Sequence, residues 1–257
     1  MTYADTPEPP ESRYGVAEWK ARCDLAILYR IAALHGMSDL IYNHISLRLP
    51  DAPEHLLINP FGLLFSKVTA SSLIKIDHAG EIVDPHAPAN ARINRAGVVI
   101  HSAVHRARPE MACVIHSHTT AGMAVSAQRD GLLPLTQHAM MFHGRIGYHD
   151  YESFATQDDE RERIARDFGD NEVMILRNHG VLVGGRSVGE AFHSAYHLER
   201  ACQAQVMAQA SASLNFPAEE IALKTAARMA SIPLDHYDFF WTQCHGLLPD
   251  DGEDCRR

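Results

Sequence analysis

Apolar residues recur at intervals of three and four over several stretches of the chain, a pattern typical of helices with one buried face. The first stretch runs from Val16 to Leu34, and His35-Gly36 supplies the stop signal that ends it. Ala91–Arg106 shows the same spacing and is closed by Pro109. The pattern also predicts helices over Ala121–Gln128, over Asp158–Asp167, from Ser187 or Val188 to about Ala210, and over Ala218–Ala230.

Other stretches alternate between apolar and polar residues, which is typical of half-buried strands. Tyr42–Leu49 and Leu56–Asn59 alternate in this way on either side of the turn Asp51-Ala52-Pro53. Strands outnumber what alternating βαβ units would supply, so the sequence favours an antiparallel sheet covered by helices over a doubly wound parallel sheet. Shorter apolar runs predict further strands at Leu73–Asp77, Ala112–Ile115, Glu172–Leu176 and Val181–Val183.

Composition fits one enzyme-sized domain. The 257 residues are 46% hydrophobic, so we expect a single domain over residues 16–257, preceded by a flexible arm over 1–15 that is rich in proline and acid. A net charge of −9 and a pI near 6.0 argue against nucleic-acid or anionic-membrane partners. No signal peptide or transmembrane segment is recognised, and the five scattered cysteines define no disulfide framework. The expected location is the cytoplasm.

Three histidines carry the strongest chemical signal. His116 and His118 follow the apolar run Ala112–Ile115, and side chains alternate faces in a strand, so both imidazoles are expected to point the same way. His179 precedes the run Val181–Val183 and therefore also lies at a strand end beside a turn. Three neutral imidazoles are a common ligand set for a divalent metal. The sequence therefore predicts a metal site made by these three residues.

A chain with 17 histidines produces close pairs by chance, so an isolated pair more often has an ordinary structural role. Val114 and Ile115 favour the metal instead, because a buried strand is a poor place to leave two imidazoles without a shared partner. His101 and His105 also share a helix face at i, i+4 spacing. No third ligand accompanies that pair in the sequence, and we interpret it as helix packing.

Five motifs occur in the order found in one known family, and the resemblance covers roughly residues 16–210. They are Asn43–Arg48, similar to the family's "GN.S.R" strand; Asn59–Gly62, similar to its "TP.G" turn; His116–His118 and Asn178–Gly180, similar to its metal motifs; and Gly189–Glu199, similar to its closing helix. On these motifs the chain resembles the class II aldolase/adducin family. This resemblance implies a three-layer α/β/α sandwich around a mainly antiparallel sheet, a cyclic homotetramer with active sites between subunits, and a divalent metal held by His116, His118 and His179.

The departures from the family pattern bear on the substrate. Gly97 stands where the resemblance places the acid/base glutamate of the sugar-phosphate aldolases, and Arg95 and Ala96 stand where it places phosphate-binding serines. Leu40 and Phe61 replace further small or polar phosphate contacts. A phosphorylated sugar is therefore not the expected substrate. Arg95 instead offers a planar fork that matches a carboxylate, with an ordinary ion pair as the alternative role.

Three more residues complete the candidate site. Asn43 and Gly62 match family positions that line the substrate site, although turn and strand-end chemistry would also explain them. Tyr148 is the candidate proton donor, because it lies in a predicted loop where the related aldolases carry a catalytic tyrosine. A hydroxyl with a reference pKa near ~10 can protonate a developing anion at neutral pH. A tyrosine packed at a subunit contact is the alternative.

These features predict a metal-dependent carbon–carbon lyase, a decarboxylase or an aldolase. The substrate would be a small non-phosphorylated hydroxy- or keto-carboxylate, with the enolate stabilised by one divalent ion per subunit, either zinc, manganese or iron. Loss of the glutamate favours decarboxylation, since retro-aldol cleavage needs a base for the departing hydroxyl.

Two other functions stay open. Three histidines with open coordination positions also suit a non-haem iron oxygenase on the same scaffold. The second alternative is a non-catalytic, adducin-like interaction module, against which the three retained ligands and the absence of a basic tail argue. The sequence does not identify the substrate, the metal or the group that replaces the glutamate. It also leaves open whether the aromatic residues of Tyr237–Trp241 cover a neighbouring subunit's pocket or pack in the core.

Overall fold

The computed structural model describes residues 10–153, 158–210 and 213–256. The α-helices in these ranges are α1 Pro10–Tyr14, α2 Val16–Leu34, α3 Arg95–Ala107, α4 Thr120–Ser126, α5 Gln137–Met140, α6 Asp158–Phe168, α7 Val188–Ala208, α8 Glu219–Ala230 and α9 Leu234–Cys244. The strands are β1 His44–Arg48, β2 His55–Ile58, β3 Ile74–Asp77, β4 Cys113–Ser117, β5 Ile146–His149, β6 Val173–Leu176 and β7 Gly180–Gly185. Short 3-10 helices lie at Phe65–Lys67, Ala70–Ser72, His245–Leu247 and Pro249–Arg256. No helix in the described ranges has an apolar stretch that could cross a bilayer.

The strands form a single sheet in the order β3-β2-β1-β4-β7-β6-β5. Every neighbouring pair is antiparallel except β5 and β6, which run parallel. The centre of the sheet joins β1 to β4 in a register that sets His44 opposite His116. The prediction of a mainly antiparallel sheet is confirmed.

Alternate residues of the central strands pack on opposite faces of the sheet. Cys113 and Ile115 of β4 belong to the hydrophobic cluster that contains α2 and α7, whereas Val114 belongs to the cluster that contains α3 and α6. Burying one large aliphatic side chain contributes about 1.5–3 kcal/mol, so both layers of helices are firmly attached to the sheet. The result is the predicted three-layer α/β/α sandwich.

This alternation also determines where the first metal-ligand candidate lies. His116 is two residues after Val114 and therefore faces the same helix layer as Val114, on the side of α3. His101 and His105 of α3 lie on that side and are buried against β1. The face of the sheet that carries α3 thus gathers several imidazoles near the end of β4.

The long loop predicted around Tyr148 is wrong in part. Gln137–Met140 forms α5, and Tyr148 lies on β5, where its Cα pairs with that of Ile175 in the parallel ladder. β5 is a four-residue edge strand in which buried Gly147 and His149 alternate with half-buried neighbours, so it lacks the apolar alternation that identifies a strand in sequence. Pairing with β6, and not the sequence of β5 itself, determines that these residues form a strand.

Both ends of the described chain differ from expectation. Pro10–Tyr14, assigned from composition to a flexible arm, forms α1, and the Tyr14 ring stacks on Trp19 with 5.9 Å between ring centroids. Residues 1–9 of that arm lie outside the described residues. Near the other end, α9 was not predicted as a helix, and its Trp241 packs edge-on against Phe192 of α7. Within one chain, this aromatic side chain belongs to the core.

Candidate metal centre

Three imidazole nitrogens converge at one end of the sheet. The Nε2 atom of His118 lies 2.8 Å from Nε2 of His116 and 2.9 Å from Nε2 of His179. Among the described residues these three form the group of potential ligands whose donor atoms could share one metal ion. The structure therefore brings together the three histidines that the sequence selected.

Local backbone geometry explains the motif around His179. Asn178 has a positive φ of 57°, a conformation that asparagine tolerates better than most residues, and it turns the chain between β6 and β7. Gly180 lies so close to β4 that a Cβ atom would come within 2.5 Å of the Ser117 carbonyl oxygen. Only glycine allows this approach, which brings His179 beside His118.

Hydrogen bonds to the opposite ring nitrogens fix two of the tautomers. Nδ1 of His116 lies 3.0 Å from the Val181 carbonyl oxygen, and Nδ1 of His118 lies 3.1 Å from a carboxylate oxygen of Asp39. Because these oxygens only accept, each Nδ1 carries the proton and each neutral ring leaves Nε2 with a bare lone pair. Two lone pairs that face each other at 2.8 Å repel unless a cation lies between them. The site therefore fits a divalent metal, with supporting partners typical of metal-binding histidines.

The electrostatic environment keeps the rings of His116 and His179 neutral. Burial, followed by the nearby His179 and His118, lowers the pKa of His116 well below its ordinary value. Burial and the neighbouring His118 lower the pKa of His179 to about 4. Neutral imidazoles are the form that binds metals, so the two rings need no deprotonation at neutral pH.

The three histidines form part of the wall of a cleft of about 560 Å³. Asp39, His44, Phe61, Arg95 and Tyr151 contribute to the same wall. This volume lies within the range of about 300–1,000 Å³ that small-molecule sites usually occupy. The cleft is therefore large enough for a small organic substrate beside the metal site.

The structure places the predicted substrate residues in different ways. Arg95 lines the cleft at the first residue of α3. Asn43 is 1% exposed, and within the described part of the chain neither its amide nitrogen nor its amide oxygen has a hydrogen-bond partner. Gly62 has a φ of 96° in the turn next to Phe61, and a Cβ atom added there would meet no other heavy atom within 4 Å. An unsatisfied buried amide costs about 1–3 kcal/mol, and Asn43 is not among the residues that line the cleft.

Tyr148 does not line this cleft. Its hydroxyl accepts a hydrogen bond from the Leu132 backbone N–H at 3.3 Å, and its ring packs against the guanidinium of Arg177. Tyr151 instead lines the cleft, with its ring centroid 6.2 Å from that of His179. Within one chain, Tyr151 is therefore the tyrosine beside the three histidines, and the catalytic role of Tyr148 stays a prediction.

His44 is the main site residue that the sequence analysis missed. Its ring stacks on that of His116 with 5.1 Å between centroids. A Cβ atom on Gly97 would lie only 2.7 Å from Cδ2 and 2.9 Å from Nε2 of His44. The space that a side chain at position 97 would need is therefore occupied by the His44 imidazole. The cross-strand pairing of His44 with His116 was the signal that could have found it.

The fold is an α/β/α sandwich around a mainly antiparallel sheet, and three histidines converge at one end of that sheet. This combination is the one that the resemblance to the class II aldolase/adducin family predicts. The family model described as the Class II Aldolase and Adducin N-terminal domain matches residues 23–206. The chain belongs to this family.

Relatives with solved structures and known names agree with this assignment. An aldolase II superfamily protein from Pseudomonas syringae is 46% identical, with a TM-score of 0.90 over 96% of this chain and 99% of that one. The L-fuculose 1-phosphate aldolase from Glaciozyma antarctica PI12 is 27% identical, with a TM-score of 0.81 over 98% and 97% of the two chains. Alpha-adducin from Rattus norvegicus is 47% identical over 200 residues, which cover 77% of this chain and 27% of that protein.

Proposed function

We propose that this protein is a metal-dependent carbon–carbon lyase that acts on a small, non-phosphorylated hydroxy- or keto-carboxylate. The observation that carries the proposal is the convergence of three imidazole nitrogens, two of them with bare lone pairs, on the wall of a cleft of substrate size. His116, His118 and His179 would hold the ion. When bound, a divalent metal supplies Lewis-acid polarisation of substrate oxygens.

The Arg95 guanidinium and the helix end that it belongs to support a carboxylate substrate. Arg95 lines the wall and opens α3, whose first amide groups and positive dipole end also favour an anion. The Asn94 side chain accepts from the Ala96 backbone N–H at 3.1 Å and so holds this helix end in place. The resemblance to the family puts Arg95 and Ala96 at the positions of phosphate-binding serines. We therefore infer recognition of a carboxylate and not of a phosphate ester.

Two other side chains have assigned tasks in this proposal. The buried Asn43 amide, which has no hydrogen-bond partner among the residues that the structure describes, would orient a polar group of the substrate by hydrogen bonding. The Tyr151 hydroxyl, on a half-exposed side chain beside His179, would deliver a proton to the carbon left after bond cleavage. Gly62 would leave space for the substrate next to Phe61. The assembly proposed from the family resemblance, a cytoplasmic homotetramer with sites between subunits, would add residues of a neighbouring chain.

Replacing Tyr151 by phenylalanine is expected to lower kcat/KM by about 10²-fold or more, the range in which general acids contribute. Tyr148→Phe is the matched control, because it removes the same atom from a tyrosine outside the cleft. We expect it to leave kcat within about threefold and to cost about 1 kcal/mol of stability through the unpaired Leu132 N–H. Steady-state kinetics of both variants checks this. The opposite ranking would return the catalytic role to Tyr148.

The test of the proposed function is a cleavage screen. Protein loaded in turn with zinc, manganese and iron(II) is incubated with hydroxy- and keto-carboxylates, and their aldehyde, ketone or carbon dioxide products are measured. Chelator-treated protein and the His118→Ala variant serve as controls. We expect metal-dependent cleavage of unphosphorylated acids by the wild-type protein alone. Cleavage only of phosphorylated sugars would overturn the substrate class, and identical rates in the controls would overturn the metal dependence.

Similarity to alpha-adducin favours a second candidate, the non-catalytic adducin-like interaction module. This candidate predicts no turnover of any carboxylate by metal-loaded protein. The cleft and its histidines would then have a structural or ligand-sensing role. The same screen separates the two candidates, because one expects product in the metal-loaded wild type and the other expects none.

A further inference from the structure

A hydrogen-bonded chain of four buried side chains runs from the candidate metal centre into the protein interior. Nδ1 of His44 lies 2.9 Å from Nε2 of His101, and Nδ1 of His101 lies 2.5 Å from the Ser46 hydroxyl oxygen. The same hydroxyl lies 2.7 Å from Nε2 of His105. The chain ends where Nδ1 of His105 meets the Met111 carbonyl oxygen at 3.0 Å. The three imidazoles and the serine thus share one unbranched path.

The carbonyl at the inner end determines the direction of the first bonds. The Met111 oxygen only accepts, so Nδ1 of His105 carries a proton and donates. In a neutral ring, Nε2 of His105 then has a lone pair and must accept. The Ser46 hydroxyl has one proton, which it gives to Nε2 of His105. Its oxygen is therefore left to accept from the other side.

The same reasoning fixes the outer half of the chain. Because the Ser46 oxygen accepts, Nδ1 of His101 carries the proton and Nε2 of His101 is bare. Nδ1 of His44 must then donate to Nε2 of His101. His44 is left with an unprotonated Nε2 at the outer end of the chain.

Burial supports neutral rings throughout. The exposed fractions of Ser46, His101, His105 and His44 are 0%, 1%, 1% and 2%. Burial and the nearby Arg48 guanidinium lower the pKa of His105 to about 3. A chain of neutral donors and acceptors has only one arrangement of protons that uses the Met111 carbonyl.

His44 forms part of the wall of the substrate cleft. Gly97 lies over the face of its ring, where a Cβ atom would come within 2.9 Å of Cγ, Cδ2 and Nε2 alike, and Nε2 is not among the fully buried polar atoms that lack a partner. Among the described residues, no hydrogen bond to Nε2 of His44 accompanies the one at Nδ1. The ring stacks on His116 and lies outside the group of three nitrogens that could share an ion. Its lone pair is therefore available to a ligand.

We propose that Ser46, His101 and His105 are positioning residues, which hold His44 in the tautomer whose Nε2 accepts a hydrogen bond at the cleft. As a consequence, the site selects carboxylates that carry a hydroxyl group beside His44. The selection of a hydroxy-carboxylate rests on the proposed function, whereas the locked tautomer does not. The direction of the hydrogen bonds from His44 to Met111 determines which ligand group can bind. A ligand hydroxyl can donate its proton to Nε2 of His44, and a carbonyl cannot.

The locked tautomer is tested on wild-type protein without metal. Histidine labelled with ¹⁵N distinguishes the two neutral tautomers, because protonated and bare ring nitrogens have different chemical shifts and couplings. The His44→Gln variant identifies the signal of that ring by its disappearance. We expect a neutral His44 with the proton on Nδ1 at pH 7. A proton on Nε2 would overturn the proposal. This measurement involves neither metal nor turnover. Its result therefore tests the tautomer of His44 independently of the proposed lyase function.

Ligand selection is tested with a pair of buried serines. Ser46→Ala breaks the chain, and Ser102→Ala removes a hydroxyl that donates only to the Val99 carbonyl oxygen of the same helix. The measured quantity is the ratio of affinities for lactate and propionate, which differ by one hydroxyl. Any preference that the metal contributes is common to both variants. The comparison therefore isolates the effect of the chain.

We expect Ser46→Ala to reduce the lactate-to-propionate ratio by about tenfold relative to wild type, the effect of one net hydrogen bond, and Ser102→Ala to leave it unchanged. An equal ratio in both variants would overturn selection by His44. If Ser46→Ala fails to fold, the affinity ratio of Ser46→Cys and the wild-type tautomer measurement decide. Weak binding of both acids by the wild type, with the expected tautomer present, would count against the proposed carboxylate substrate and the selection but not against the locked ring.

Discussion

The His118→Ala variant is expected to lose more than about 10²-fold in affinity for zinc or manganese, beyond the 10–100-fold that loss of a supporting partner usually costs. His118 is central to the site, because its Nε2 atom lies within 2.9 Å of Nε2 of both His116 and His179. Its removal leaves two imidazoles and an open gap between them. The measurement is competition of the purified protein with a chromophoric chelator, together with the rate of substrate cleavage, which should fall to that of chelator-treated protein.

Two further variants serve as comparisons for His118→Ala. Asp39→Asn keeps the size of the side chain that accepts from Nδ1 of His118 but removes its charge, and we expect a 10–100-fold weaker affinity. His86→Ala removes an exposed histidine that belongs neither to the group of three histidines nor to the wall of the cleft, and it should leave affinity unchanged. If His118→Ala bound the ion as tightly as His86→Ala, the metal would lie elsewhere.

Replacing Arg22 by alanine is expected to cost about 3–5 kcal/mol in free energy of unfolding, the loss typical of breaking a buried ion pair from one side. Arg22 is fully buried and contacts Asp84 at 2.6 Å, Glu18 at 2.8 Å and the Leu73 carbonyl oxygen at 2.7 Å. The variant leaves the Asp84 carboxylate, with 1% of its side chain exposed, without this charge. Urea denaturation followed by circular dichroism measures the difference.

Lys20→Ala is the matched control, since Lys20 also lies on α2 and contacts Asp24 at 2.6 Å but has 76% of its side chain exposed. We expect it to change stability by less than about 1 kcal/mol. Equal stability of the two variants would contradict the importance of the buried pair.

The pH dependence gives the same account an independent check. Burial raises the pKa of Asp84, but its hydrogen bonds to Arg22 and to the His86 backbone N–H outweigh burial and leave the pKa below its ordinary value. A group whose folded pKa is depressed stabilises the fold above its unfolded pKa of about 3.9 and loses that contribution as pH falls through the folded value. The wild type should therefore lose this stability only in acid, whereas Arg22→Ala lacks it already at neutral pH.

The grouping of the three histidines could be predicted because each of its motifs is local. Alternation along β4 and into the residue that follows it puts His116 and His118 on one side, and the sharp turn at Asn178 and the close approach at Gly180 need only neighbouring residues to be recognised. The apolar runs of the central strands likewise identify the middle of the sheet. Structural features that depend on a few consecutive residues can therefore be predicted from the sequence.

The rest of the site depends on contacts between distant segments. His44 and Gly97 complement each other in volume across 53 positions of the chain, so the glycine that looked like a lost glutamate is a residue that makes room for an imidazole. Nothing in the local sequence distinguishes Tyr148 from Tyr151. In the fold, Tyr148 lies on β5, which pairs with β6, whereas Tyr151 follows that strand and lines the cleft. Such choices follow from tertiary packing, which no short pattern records.

The most direct test of the metal centre is elemental analysis of protein purified anaerobically without chelators, beside a His116→Ala/His118→Ala control. We predict about one divalent ion per chain in the wild type and almost none in the control, as expected for a site with three histidine ligands. Zinc or manganese would support the lyase directly, and iron would give priority to the oxygenase alternative. Absence of metal from both proteins, or equal content in both, would contradict the three-histidine site.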